Sequence, residues 1–164
     1  MKSLPWFVVA AAFIATVASF IFFWDQLPNV VATHFDLNGQ ADGWMSKSGF
    51  VLFALVMQFG LAAVMFGCGW LIKVLPTSMI NIPNREYWLA DERRDQTLAE
   101  SQSMMAWIAA GTAILLMVMF YLAIDANLGE EKRLNATASW ICVAIYLIWL
   151  LVYCVVTLKK YYAF

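Results

Sequence analysis

Apolar residues along the chain fall into four long runs separated by polar segments. The runs cover residues 4–24, 49–72, 104–124 and 138–158, and none contains Asp, Glu, Lys, Arg or His. Each has 21 to 24 residues, and a helix of about 20 residues crosses a hydrocarbon core of about 30 Å. Because backbone amides in lipid must bond within their own segment, we expect four transmembrane α-helices.

The composition supports a membrane location. Hydrophobic residues make up 63% of the chain and charged residues 13%, against about 45–50% and 25% in soluble domains. A soluble enzyme and a disordered chain are therefore excluded. We expect an all-α membrane protein, residues 1–164 forming one polytopic domain. Its four transmembrane helices would pack as an antiparallel bundle, with a folded outward loop between helices one and two.

The first run could instead be a signal peptide, because Lys2 precedes it. Signal sequences have apolar cores of about 7–15 residues, and this run has 21 and ends in aromatic residues. We therefore expect a retained anchor.

Lys and Arg residues are distributed unequally between the two sides of the predicted bundle. Three lie on the side of residues 25–48 and 125–137: Lys47, Lys132 and Arg133. Seven lie on the other side: Lys2, Lys73, Arg85, Arg93, Arg94, Lys159 and Lys160. The positive-inside rule predicts that both termini of this multi-pass protein are cytoplasmic.

The predicted spans contain no Asp, Glu, Lys, Arg or His that could mark a proton or ion path. This argues against a proton-driven transporter built from one copy of the chain. Gln58 is the clearest polar residue inside a span, and we expect its amide to bond a neighbouring helix rather than line a site.

The first outward loop, residues 25–48, is longer than a helical hairpin needs. Residues 30–35 have the β-branched and aromatic content of a short strand. Asn38-Gly39 predicts a turn, and Asp42-Gly43 predicts a second one. Ser46 is the expected N-cap of the second span.

The same loop resembles a known family. Its residues match the family's pattern of LP, HF, G, D, W and K: Leu27, Pro28, His34, Phe35, Gly39, Asp42, Trp44, Ser46 and Lys47. The chain is therefore similar to the domain-of-unknown-function family found at the N-terminus of SdpI-type bacterial immunity membrane proteins. Family members usually carry proline two residues before the histidine, where this chain has Ala32. The resemblance implies a motif loop and, in SdpI-type members, protection from a secreted toxic peptide and capture of a transcriptional repressor.

His34 is the only histidine of the chain, and it has three readings. It could belong to a recognition surface formed by the motif loop. With Asp36 and Asp42 it could form the site of a metal-dependent membrane enzyme. One His with two Asp is, however, a poor set of ligands for zinc, which favours His and Cys. His34 could instead bond Asp42 and fix the turn, while Phe35 and Trp44 pack at the membrane interface. We assign no metal ligand and no catalytic residue.

The predicted cytoplasmic loop, residues 73–103, supplies a second candidate surface. Four of its residues could dock a cytoplasmic protein or an anionic headgroup: Arg85, Trp88, Arg93 and Arg94. The alternative is a solvated, charge-balanced extension of the third helix. Helical composition begins at about Asp91, which we expect to be the N-cap.

We therefore expect a recognition, immunity or signalling protein of the bacterial cytoplasmic (inner) membrane. Its 25–48 loop would bind an extracytoplasmic ligand such as a peptide, and a cytoplasmic protein would be its partner. Beyond the lipid bilayer we expect no nucleic acid and no cofactor. The alternatives are the metal-dependent enzyme and a scaffolding or transport subunit whose site forms between copies in a homo-oligomer.

Overall fold

A computed structural model describes residues 3–162. Four helices are long and apolar enough to cross a membrane, as predicted. They are α1 (Leu4–Phe23), α2 (Lys47–Val74), α4 (Asp91–Leu128) and α5 (Ala136–Lys159). The protein is thus a multi-pass helical membrane protein.

Two strands, β1 (Val30–Phe35) and β2 (Ala41–Ser46), form an antiparallel hairpin between α1 and α2. We call this end of the bundle the hairpin end. At the opposite end, the loop end, a 3₁₀ turn (Thr77–Met79) and the short helix α3 (Arg85–Trp88) connect α2 to α4. Lys2, which contributed to the charge count, lies outside the described residues.

The core lies between α1, α2 and α4, near the hairpin end. Phe20, Phe50 and Phe120 meet edge to face, with ring centroids 5.3 Å and 6.2 Å apart, and Ile124 packs in the same cluster. Farther along the bundle, buried Gln58 donates from Nε2 to the carbonyl of Ala113 at 3.1 Å. The expected bond from this amide to a neighbouring helix is confirmed.

Helix α5 packs along α4 at the outside of this three-helix core. The most apolar stretch of 18 residues in this helix contains no buried residue. Gly111 of α4 allows a close approach of the two helices, since a Cβ at this position would lie 2.4 Å from the ring of Trp149. The apolar outer face of α5 is suited to contact with lipid tails.

Helix α4 is longer at both ends than the apolar run that predicted it. Its 38 residues include the charged stretch from Asp91, so the predicted helical extension is confirmed. The expected N-cap is wrong by one residue, because Ala90 is the N-cap and no side chain caps this end. At the hairpin end the helix continues to Leu128, which leaves residues 129–135 as the connection to α5.

Candidate functional site

The hairpin is built around a tight turn. Gly39 has φ +83°, a left-handed conformation that glycine adopts without strain. The Asp36 carboxylate accepts from the backbone N–H groups of Asn38 and Gln40, each at 2.8 Å. The predicted turn at Asn38-Gly39 is confirmed, and Asp36 is its cap.

The second predicted turn is wrong, because Asp42 and Gly43 lie inside β2. Gly43 faces His34 across the strand pair. A Cβ at position 43 would lie 2.7 Å from the Cβ of His34. Glycine is therefore needed here for close cross-strand approach and not for a reversal of the chain.

His34 and Asp42 form a side-chain pair on the outer surface of the hairpin. Nδ1 of His34 lies 2.5 Å from Oδ1 of Asp42. The two side chains are 75% and 50% exposed. Bonding at Nδ1 orients the imidazole and leaves Nε2 directed away from the carboxylate. Nε2 can therefore form one hydrogen bond with a ligand.

The structure does not bring Asp36 to this pair, because the Asp36 carboxylate caps the turn. Among residues 3–162, no group of three or more His, Cys, Asp or Glu side chains is arranged to hold a metal ion. The contacts of His34, Asp36 and Asp42 thus give two separate units, an exposed pair and a turn cap.

Apolar residues of the motif anchor the hairpin to the core of the bundle. Phe35 packs against the core cluster and Leu27 lies within it, next to half-buried Pro28. Trp44, by contrast, is 51% exposed. Together with the His34–Asp42 pair, the Trp44 side chain forms the outer face of the hairpin.

Lys47 connects the two ends of the motif segment. Its Nζ donates to the carbonyls of Trp24 and Leu27, at 2.8 Å and 3.1 Å, and lies 4.6 Å from the centre of the Trp24 ring. A cation is favourable beside the unpaired carbonyls at a helix C-terminus. Lys47 therefore fixes the end of α1 against the beginning of α2.

Asn127, in the last turn of α4, is fully buried and was not predicted from the sequence. Its Oδ1 accepts from the N–H of Ala32, and its Nδ2 donates to the carbonyls of Ala32 and Ala123, each at 2.8 Å. Lys132 donates to the Asn127 carbonyl at 2.6 Å. This amide holds β1 on α4 as a neighbouring strand would.

The tip of the hairpin contacts the connection between α4 and α5. The carbonyl of Gly39 accepts from the N–H of Leu134 at 2.9 Å. Arg133 donates to the carbonyl of Asn38, and the Trp140 indole donates to that of Leu37, each at 3.4 Å. The hairpin is thus supported at its base by Lys47, along β1 by Asn127 and at its tip by residues 133–140.

The second candidate surface is at the loop end, where its arginines bond the loop itself. Arg85 donates to the carbonyl of Ser78 at 3.1 Å, and Arg94 to that of Leu75 at 3.4 Å. Arg93 donates to the carbonyl of Tyr87 at 2.9 Å, and its guanidinium lies 4.0 Å from the centre of the Tyr87 ring.

Trp88 packs against the end of the chain, with its ring 5.2 Å from that of Tyr161. Asn84 donates to the Tyr161 carbonyl at 3.0 Å. These contacts organise residues 75–90 against α4 and the end of α5.

Comparison with models of protein families matches one segment of the chain. Residues 10–58 match the family model described as Domain of unknown function (DUF1648). Neither a curated protein nor a solved structure matches the chain. The matched segment runs from α1 through the hairpin into α2 and contains every residue of the motif. Residues 10–58 of this chain, about three tenths of its length, are therefore similar to the domain of unknown function DUF1648.

Proposed function

We propose that the protein recognises an extended peptide outside the cytoplasm through its hairpin and transmits this event along α4 to a cytoplasmic partner. The open edge of β2 carries the proposal. The hairpin end would face outward and the loop end the cytoplasm of a bacterial inner membrane.

The basic residues support this orientation. All three at the hairpin end donate to backbone carbonyls of the protein itself: Lys47, Lys132 and Arg133. They thus serve the fold of that end. The larger number at the loop end is the asymmetry expected of cytoplasmic segments.

The strand register supports an open edge on β2. Both backbone polar groups of Ala32 are directed to Asn127, so they point away from β2. Trp44 lies opposite Ala32. In an antiparallel ladder, two directly opposite residues either bond each other through their N–H and C=O groups, or both direct these groups away from the partner strand. The N–H and C=O of Trp44 therefore point away from β1, and outside the ladder no described residue bonds them.

An exposed strand edge is a template for a further strand. A peptide added there would bond its backbone to that of Trp44, which gives affinity without dependence on the peptide sequence. His34, Asp42 and the Trp44 ring stand on the exposed face beside this edge. Their side chains supply specificity, with Nε2 of His34 as the polar contact.

Transmission would depend on α4. Asn127 bonds the hairpin at one end of this helix, and Arg93 and Arg94 lie in its first turn at the other end. The helix is continuous between them. A peptide that shifts β1 would therefore displace a rigid element that reaches the loop end, where a cytoplasmic protein could bind. Sensing of a signal peptide and immunity through capture of a toxic one would use the same surface.

Two substitutions at one position test recognition by the edge. The protein is reconstituted in nanodiscs and exposed to a pool of random synthetic decapeptides, and the retained peptides are sequenced and their affinities measured. Trp44→Ala removes the ring and keeps the N–H, whereas Trp44→Pro removes both. We expect Trp44→Pro to bind the selected peptides at least about fivefold more weakly than Trp44→Ala, which corresponds to about one hydrogen bond. Proline is tolerated where a strand's N–H faces away from the ladder.

The peptides themselves provide the control. Two versions of each selected peptide are made, one N-methylated at its odd-numbered amides and one at its even-numbered amides. Only one version should lose binding, because only every second N–H of an added strand faces β2. His34→Ala should weaken binding while the protein stays in the membrane. Strand addition would be ruled out if Trp44→Pro and Trp44→Ala bound the peptides equally and if the two methylated versions of a peptide also bound equally.

A further inference from the structure

A cleft of about 360 Å³ opens at the loop end of the bundle, between α1, α2 and α4. It is independent of the hairpin. Trp6 and Phe66 form one wall, with ring centroids 5.1 Å apart and an edge-to-face arrangement. Gln102 donates to the carbonyl of Gly69 at 2.8 Å, which joins α4 to α2 beside the cleft.

The cleft is lined mainly by apolar residues, and its one charged residue is Lys73 among the described residues. Met65 and Phe66 of α2 and Ala106 of α4 lie toward the middle of the bundle. Lys73, in the last turn of α2, and Ser103 lie closer to the loop end. A cleft with apolar residues toward the middle of the bundle and a cation near the end of α2 is complementary to an amphiphile whose headgroup stays at the membrane surface.

The charge at the mouth selects the headgroup. Lys73 is exposed, and no ion pair joins it to another described residue. Within residues 3–162, those that line the cleft include neither Asp nor Glu. Trp70, another lining residue, is 57% exposed, and tryptophan favours the level of lipid headgroups. An anion at this level would meet a cation and no opposing carboxylate.

We propose that this cleft binds one anionic diacyl phospholipid. The phosphate lies against Nζ of Lys73 and accepts from the Ser103 hydroxyl. One acyl chain runs past Phe66 and Ala106 into the hydrocarbon core. Basic pockets between transmembrane helices bind acidic lipid headgroups in this way.

The test is lipid retention measured by native mass spectrometry. The protein is released from nanodiscs of phosphatidylglycerol, or of phosphatidylcholine, and the bound lipids are counted. We expect one phosphatidylglycerol per chain and no retained phosphatidylcholine. Lys73→Gln should lower the affinity for phosphatidylglycerol about fivefold, as expected for one lysine beside the membrane surface. Lys159→Gln is the matched control, because Lys159 is exposed at the same end and lies outside the cleft.

A steric variant tests the apolar part of the site. Ser103 is exposed, so Ser103→Phe should fold and should displace the lipid by occupying the mouth of the cleft. An excess of glycerol 3-phosphate should leave the bound lipid in place, since it lacks the acyl chain. Equal retention by Lys73→Gln and Lys159→Gln, retention by Ser103→Phe, or displacement by glycerol 3-phosphate would each overturn the proposal.

Discussion

Asn127→Ala is expected to release the hairpin from α4 and to lower the free energy of unfolding by about 3 kcal/mol or more. The substitution removes three side-chain hydrogen bonds. It also leaves the N–H and C=O of Ala32 without partners at a residue that is fully buried. An unsatisfied buried polar group costs about 1–3 kcal/mol, so the loss exceeds that of the bonds alone.

Thermal unfolding in mild detergent, together with proteolysis of the hairpin, measures this effect. Asn38→Ala is the matched control, because Asn38 is exposed on the same hairpin and its hydrogen bonds to the described residues run through its backbone. The Asn127 variant should unfold at a lower temperature and be cleaved faster between β1 and β2. If the two variants were equally stable and equally resistant to protease, the docking of β1 on α4 would not depend on this amide.

Gly39→Ala is expected to have the second largest effect, a destabilisation of about 2–3 kcal/mol. The φ of +83° costs a residue with a side chain about 1–2 kcal/mol. The added Cβ would lie 2.2 Å from the carbonyl oxygen of Leu134. The turn and the connection between α4 and α5 cannot both keep their positions.

Gly60→Ala is the matched control, because a Cβ at Gly60 meets nothing within 4 Å. Alanine is also the better helix former, so this variant should be as stable as the parent protein or slightly more stable. Hydrogen exchange at the Leu134 amide should increase in Gly39→Ala and stay unchanged in Gly60→Ala, because this amide bonds the Gly39 carbonyl. A slowly exchanging Leu134 amide in Gly39→Ala would contradict the contact.

Local sequence patterns predicted much of the architecture. Apolar runs gave the four helices, β-branched residues gave β1, and glycine gave the turn at Gly39. Ser46 accepts from the N–H of Gly49, as expected of an N-cap. Each of these features depends on residues that are close together in the chain, which is why the pattern alone predicts them.

The contacts that fix the site join residues far apart in the sequence. Asn127 and Ala32 are separated by 95 positions, and an asparagine after an apolar run is equally typical of a helix end facing solvent. Asp42-Gly43 has the composition of a turn, but the cross-strand approach of His34 places it in β2. The sequence offered one signal for Asn127: the helical pattern continues past residue 124, where the apolar run ends, and Asn127 is a polar amide within this continuation.

The most direct test of the account is the side of the membrane on which the hairpin lies. Cys68, Cys142 and Cys154 are replaced by alanine, and a single cysteine is introduced at Asn38 or at Asn81, both of which are exposed. We predict that a membrane-impermeant maleimide labels Asn38→Cys in intact cells and labels Asn81→Cys only after the cells are broken. Labelling of Asn81→Cys alone in intact cells would place the hairpin in the cytoplasm and contradict the proposed recognition of an external peptide.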